Sequence, residues 1–175
     1  MQVTRPVQVT AALGTGYVPV VGPEAVPFPA TKRTVNLDPN RAFSPTAYNS
    51  GGAGMSGTVG DYSRFLQMLL NEGELDGVRV LRTDTVGQMT QNATGNMPIL
   101  RGPGWGYMLG FGILIDPPLA KSRLPAGSYG WGGIYGTQFW VDPTNRVVGL
   151  VMTQTAIIGS GAISNPIREA FYAVD

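Results

Sequence analysis

From Thr58 onward the apolar positions fall into a regular order. Tyr62, Phe65, Met68 and Leu69 recur at helical spacing until Gly73 interrupts them, a pattern that predicts an amphipathic helix. Thr58 and Asp61 stand where a capping box would open that helix, with Asp in place of the usual Glu or Gln. Gly77-Val-Arg-Val-Leu81 reads as a short strand or extended link, and Thr83 as the cap of a second short helix that holds Val86 and Met89. Helices are thus expected across 58–91.

At Trp105 the period changes. Tyr107 to Ile115 is an apolar run, Tyr129 to Gly133 is short and glycine-rich, Thr137 to Val141 alternates, and Arg146 to Thr153 is rich in β-branched residues. These segments predict antiparallel strands across 105–154. Asp142-Pro-Thr-Asn145 places proline at the second position of a type I turn, so the last two strands should form a hairpin. Asn165-Pro166 should open a terminal helix over 165–174, with proline at the first helical position and Ile167, Ala170, Phe171 and Val174 on one face. Helices, then strands, then a covering helix describe an α+β layer of antiparallel strands packed against helices.

Residues 1–57 are different. They hold Pro6, Pro19, Pro23, Pro27, Pro29, Pro39 and Pro45 and show little periodicity. A stretch this long without elements of its own is uncommon inside a self-contained domain. It is read as extended chain crossing the fold, and residues 58–175 as the domain proper.

Composition narrows the chemistry. At 175 residues, 43% apolar and 13% charged, the chain can bury one sizeable core. The net charge is +1 with no basic run, so the electrostatic footprint of nucleic-acid binding is missing, as is the polybasic segment of an anionic-membrane binder. There is no cysteine and no histidine. That excludes thiolate nucleophiles, disulfides, imidazole bases and the usual zinc sites, and no metal or other cofactor is expected. Any hydrolytic base must be lysine, tyrosine or a carboxylate. The apolar stretch Val7 to Val26 is broken by Pro19 and Pro23 and has no basic segment ahead of a continuous apolar core. It reads as neither a signal peptide nor a membrane span, which favours the cytoplasm and leaves the periplasm open.

Two glycine-rich stretches are candidates for function. Gly52-Ala-Gly-Met-Ser-Gly57 has the spacing of a dinucleotide-binding loop. Such a loop must follow a buried strand and precede an acidic residue at the end of the next one. Here it follows Arg41-Ala-Phe-Ser-Pro-Thr-Ala-Tyr-Asn-Ser50, and Leu75-Asp-Gly-Val78 stands at the start of an extended piece. The glycines are better read as a lead-in to the helix. The second stretch is Ser128-Tyr-Gly-Trp-Gly-Gly-Ile-Tyr-Gly-Thr-Gln-Phe-Trp-Val-Asp-Pro143. Glycines at 130, 132, 133 and 136 imply either a bulge or a place where a ligand approaches the backbone. An edge strand of this kind can offer N–H groups to an oxyanion.

Beyond these local readings, the order SGGAGMSGTVGDYSRFLQMLLNEGELDGVRVL, GWGYMLGFGILIDP and YGWGGIYGTQFWVDPTNRVVGLVMTQ resembles the C-terminal half of serine β-lactamase-like hydrolases. That group includes class C β-lactamases, penicillin-binding-protein relatives and the β-lactamase-fold esterases of family VIII. The resemblance runs from about Ser50 to the end of the chain and implies the β-lactamase/transpeptidase-like fold. It matches Trp131-Gly132-Gly133 to the family's Lys-Thr-Gly triplet on the strand lining the site, in a form similar to the esterase branch. It implies that the backbone N–H of Ile134 is one oxyanion donor, the other coming from the nucleophilic serine. Trp131 and Tyr135 are the aromatics expected to face substrate, with Trp105, Tyr107, Phe139 and Trp140 more simply core. Loss of the triplet's lysine implies small neutral acyl esters rather than β-lactam-like substrates.

One departure is large. The family's nucleophile lies in Ser-x-x-Lys and its proton shuttle in Tyr-x-Asn. No lysine stands three residues after Ser44, Ser50, Ser56, Ser63, Ser122, Ser128, Ser160 or Ser164, and no tyrosine precedes an asparagine by two. Lys32 and Lys121 look like surface charges. The resemblance therefore implies a C-terminal portion that needs an N-terminal half of the same enzyme, or self-association, to cover its apolar surface. Alone it should be inactive. The alternative is a non-catalytic β-lactamase-like binding module. Asp61, Glu72, Glu74, Asp76 and Asp84 read as caps and solvated turns, and Arg64 and Arg168 as exposed helix charges.

Overall fold

The computed structural model describes residues 26–27, 34–35, 57–133, 136–153 and 161–173. Most of the proline-rich segment 1–57 and the loop 52–56 thus lie outside the described residues. Of that segment, β1 (Val26–Pro27) and β2 (Thr34–Val35) form a short antiparallel pair.

Helix α1 (Val59–Leu70) begins as its sequence requires. The Thr58 hydroxyl accepts from the Asp61 N–H at 3.1 Å and donates to the Asp61 carboxylate at 2.9 Å, satisfying donors that the first turn leaves orphaned. Its end differs from expectation by one residue. Glu72 N–H bonds the Leu69 carbonyl and Gly73 N–H the Met68 carbonyl, a Schellman closure in which Glu72, at φ +56°, takes the left-handed position. Gly73 is needed for space as well as for its φ of +98°, since a Cβ there would lie 2.2 Å from the Leu81 carbonyl oxygen. The chain then makes a hairpin, β3 (Glu74–Leu75) with β4 (Val78–Arg79). Asp76 (φ +52°) and Gly77 (φ +77°) are both left-handed, the Asp-Gly signature of a two-residue hairpin turn. Helix α2 (Thr83–Met89) is capped differently from expectation. Arg82 is its N-cap and makes no side-chain cap bond, and Thr83 is already helical.

The five-stranded sheet follows in simple antiparallel order: β5 (Trp105–Tyr107), β6 (Gly112–Leu114), β7 (Tyr129–Gly132), β8 (Gln138–Asp142) and β9 (Val147–Val151). The apolar run 107–115 thus holds the end of β5, a turn and β6, because Gly110 at φ +92° and the Met108 N–H to Phe111 carbonyl bond (2.9 Å) turn the chain. The expected β8–β9 hairpin is present, with Asp142 paired to Val147. On one face α1 contributes Leu66, Met68, Leu69 and Leu70, packed with Phe111, Ile113, Tyr129, Phe139 and Val141. On the other, Leu114, Leu124 and Trp140 pack with Trp105, Ala120 and Tyr172, beneath α3 (Pro117–Ala120) and α4 (Gly161–Phe171). All five β8 positions are buried, so its alternation sorts residues between two cores rather than between core and water.

Helix α4 starts four residues before the expected 165, leaving Pro166 inside it rather than at its first position. Proline there forgoes one backbone bond, while side chains tie the helix to the sheet. Ser164 hydrogen-bonds the Gln138 side chain. Tyr172 donates to Asp142 at 2.8 Å. Asp142 is fully buried and also accepts from the Asn145 backbone N–H (3.0 Å) and side-chain amide (2.8 Å). Among the described residues no helix is long and apolar enough to cross a membrane.

Two stability predictions follow from these contacts. Tyr172→Phe leaves Asp142 short of one buried donor and should cost about 1–3 kcal/mol in urea denaturation; an unchanged midpoint would show the bond contributes nothing. Burial lifts the Tyr129 phenol from 10.0 to about 12. Between those values the unfolded chain releases a proton that the folded chain keeps, so stability should fall as pH rises through that window. Tyr129→Phe should show a shallower fall, and equal slopes would remove Tyr129 as a source.

Candidate active-site strand

Strand β7 outruns its neighbour. It pairs with β6 only at Tyr129↔Ile113 and Gly130↔Gly112, but with β8 as far as Gly132↔Gln138. Trp131 and Gly132 therefore extend past β6 with one edge uncovered by it. Alternation of the antiparallel ladder tells which groups use that edge. The Ser128 carbonyl accepts from Leu114 N–H on the β6 side, whereas Gly133 N–H donates to the Thr137 carbonyl on the β8 side, both at 2.8 Å. Gly132, in phase with Ser128, aims its N–H and carbonyl at the edge that β6 does not reach. Pairing with β8 is continuous from Tyr129 to Gly132, so these residues contain no bulge. Gly130 instead permits close approach of strands, since a Cβ there would sit 2.1 Å from the Phe139 carbonyl oxygen.

Of the residues singled out from the sequence, Trp131, Gly132 and Gly133 are brought together at this strand end, all half-buried. Ile134 and Tyr135 lie outside the described residues. Gly136 N–H bonds back to the Gly133 carbonyl at 3.1 Å. The Trp131 ring meets Tyr107 edge-on at 5.0 Å between centroids. Phe139 and Trp140 are buried in the two opposite cores, as expected of strand aromatics.

Arg101, which sequence reasoning passed over, completes the neighbourhood. Its guanidinium carbon lies 4.6 Å from the Trp105 ring centroid and 5.3 Å from that of Trp131. Burial, and secondarily the charge of Arg168, lower its pKa from 12.5 to about 10, so it remains a cation at neutral pH. The available signal was an arginine in a Gly-Pro-Gly loop four residues ahead of Trp105. Arg168 corrects an expectation: it is 5% exposed rather than a surface charge, because α4 turns it inward. It pairs with Glu169 at 3.1 Å. Glu169 also accepts from the Ser122 hydroxyl (3.1 Å) and the Arg123 N–H (2.9 Å).

The remaining carboxylates have local roles. Asp61 caps α1, while Asp76, Glu74 and Asp84 pair with Arg64, Arg79 and Arg82 at 2.6, 2.8 and 3.0 Å. Among the described residues no three acidic side chains gather as a metal site would require.

The chain is similar in sequence and fold to known proteins. Residues 3–172 match the Beta-lactamase family, extending the likeness well ahead of Ser50. The chain is 37% identical over 143 residues to Esterase EstB of Burkholderia gladioli, covering 79% of this chain and 34% of that protein. It is 35% identical over 130 residues to Protein Rv1367c of Mycobacterium tuberculosis, covering 67% of this chain and 32% of that one. Among solved structures, "EstCE1, a hydrolase with promiscuous acyltransferase activity" superposes with a TM-score of 0.79 at 32% identity, over 89% of this chain and 40% of that one. The unliganded, selenomethionyl form of simvastatin synthase (LovD) from Aspergillus terreus, at 19% identity and a TM-score of 0.62 over 82% of this chain and 40% of its own, shares the fold. The chain thus spans about a third of the length of the curated relatives it matches. With its antiparallel sheet between helical layers and its family match across nearly the whole sequence, the chain belongs to the β-lactamase family, in the company of hydrolases and esterases.

Proposed function

We propose that this chain supplies the oxyanion-binding strand of a serine carboxylesterase that works on small acyl esters through an acyl-enzyme. The observation that carries this reading is the edge of β7 beyond β6, where Gly132 directs its backbone groups. Kinship with an esterase at 37% identity supports the reaction class. Backbone N–H groups at such an edge are fixed by the sheet, so they need no reorganisation when charge develops on the substrate oxygen.

In this reading a serine from outside these 175 residues attacks the ester carbonyl, and lysine and tyrosine beside it move the proton. The oxyanion receives the N–H of Ile134 and of the serine itself. Trp131, Gly132, Gly133 and Tyr135 line the acyl side, where absence of side chains at the two glycines lets the ester lie against the strand. Collapse of the tetrahedral intermediate expels the alcohol, and water then attacks the acyl-enzyme.

The test mixes this chain with the first two-thirds of the Burkholderia gladioli esterase, which is to supply Ser-x-x-Lys. The chain alone should neither turn over a chromogenic ester nor gain acyl mass. The mixture should hydrolyse it, with the acyl mass on the added segment. Ile134→Pro removes one donor and should lower kcat by about 10²–10³-fold. Association without turnover would instead favour a binding module, and acylation of a serine in this chain would overturn the reading.

A further inference from the structure

We propose that Arg101 is a carboxylate-recognition residue, receiving an anionic group of the ester beside the edge of β7 that β6 does not reach; as substrate recognition this rests on the esterase reading above. Among the described residues Arg101 has no ion pair and no hydrogen bond, although Arg64, Arg79, Arg82 and Arg168 each have an acid. It is also largely withdrawn from water, which is what depresses its pKa. A partly desolvated cation without a partner is costly, and a ligand anion is the group that would offset the cost.

The local structure is shaped to hold it there. A Cβ at position 112 would lie 2.8 Å from the Arg101 Cδ and 3.3 Å from the Trp131 ring, so Gly112 opens the room the arginine stem occupies. Contacts with the Trp105 and Trp131 rings restrain the guanidinium, and among the described residues its N–H groups have no acceptor, which suits the planar fork to a carboxylate. Arg168 adds positive potential, while the carboxylate of Glu169 is engaged by Arg168, Ser122 and Arg123. Trp131 stands in the triplet at the end of β7, so the cation and the oxyanion edge share a residue. On this proposal the preferred esters carry a carboxylate, where the triplet's missing lysine implies neutral ones.

Binding is tested on the whole chain by tryptophan fluorescence, since two of its three tryptophans flank Arg101. Benzoate should change the emission saturably and benzamide should not. Arg101→Met should abolish the response and Arg101→Lys weaken it, keeping charge without the fork. Should Arg101→Met fail to fold, Gly112→Ala, which displaces the arginine stem, should give the same loss. Equal responses to benzoate and benzamide, or a response retained in Arg101→Met, would overturn the proposal.

In the active mixture, Arg101→Met should lower the kcat/KM ratio of para-acetoxybenzoate over para-acetoxybenzamide, or of monoethyl adipate over ethyl hexanoate, by about 10–100-fold. The pair that responds tells whether the carboxylate sits on the alcohol or the acyl side. Turnover with neither ratio changed overturns the role of Arg101 and leaves the esterase reading standing. No turnover, with benzoate binding still dependent on Arg101, sinks the esterase reading and supports the carboxylate site.

Discussion

Everything in this fold depends on the burial of β8 on both faces. Phe139 and Val141 face the core under α1, while Trp140 between them belongs to the core under α3 and α4. A slip of one residue would drive the indole into the first core and the phenyl ring into the second, so register is specified twice over. That register fixes the place of β7 beside β8, and β7 in turn runs beyond β6 at Trp131 and Gly132, where no described strand covers the edge that Gly132 faces. The candidate site is thus a consequence of packing at residues that no substrate would touch.

The second core is joined to the sheet by polar as well as apolar contacts. Asp142 closes the β8–β9 turn through Asn145 and anchors the end of α4 through Tyr172. One buried carboxylate therefore sets both a turn and a helix position, and its three bonds answer the desolvation that full burial imposes. With both ends of the helix tied to β8, through Ser164 and Tyr172, α4 accommodates Pro166 within its run. The sequence rule that places proline at a helix start describes an isolated helix, and this one is held from outside.

Features decided by neighbouring residues were legible in the sequence. The capping box at Thr58 and Asp61 and the Asp142–Asn145 turn depend on contacts three residues apart, and the strands at 129–132 and 147–151 show in their own residue pattern. Features decided by tertiary packing were not. Nothing near Arg168 in sequence says that α4 turns its guanidinium inward, and the 107–115 run conceals the turn at Gly110 because the residues on both sides of it are apolar. The Leu75-Asp-Gly-Val78 hairpin was legible in principle, since its Asp-Gly dipeptide is the signature of a left-handed two-residue turn. At the site, the Trp131-Gly-Gly triplet was visible through family likeness, whereas the approach of Arg101 to Trp131 was not, because it comes from a loop thirty residues away in sequence.

That contrast has a physical origin. Oxyanion donors are backbone groups, so the sheet determines their direction and almost any residue type can carry them. Only glycines, which keep side chains out of the approach, leave a trace in the sequence. Charge recognition needs a particular side chain, but that side chain can come from any element able to reach the site. Contacts with the Trp105 and Trp131 rings restrain Arg101, provided position 112 has no side chain to displace its stem. Gly112 therefore matters to the position of Arg101 as much as the two rings do, although it carries no chemistry of its own.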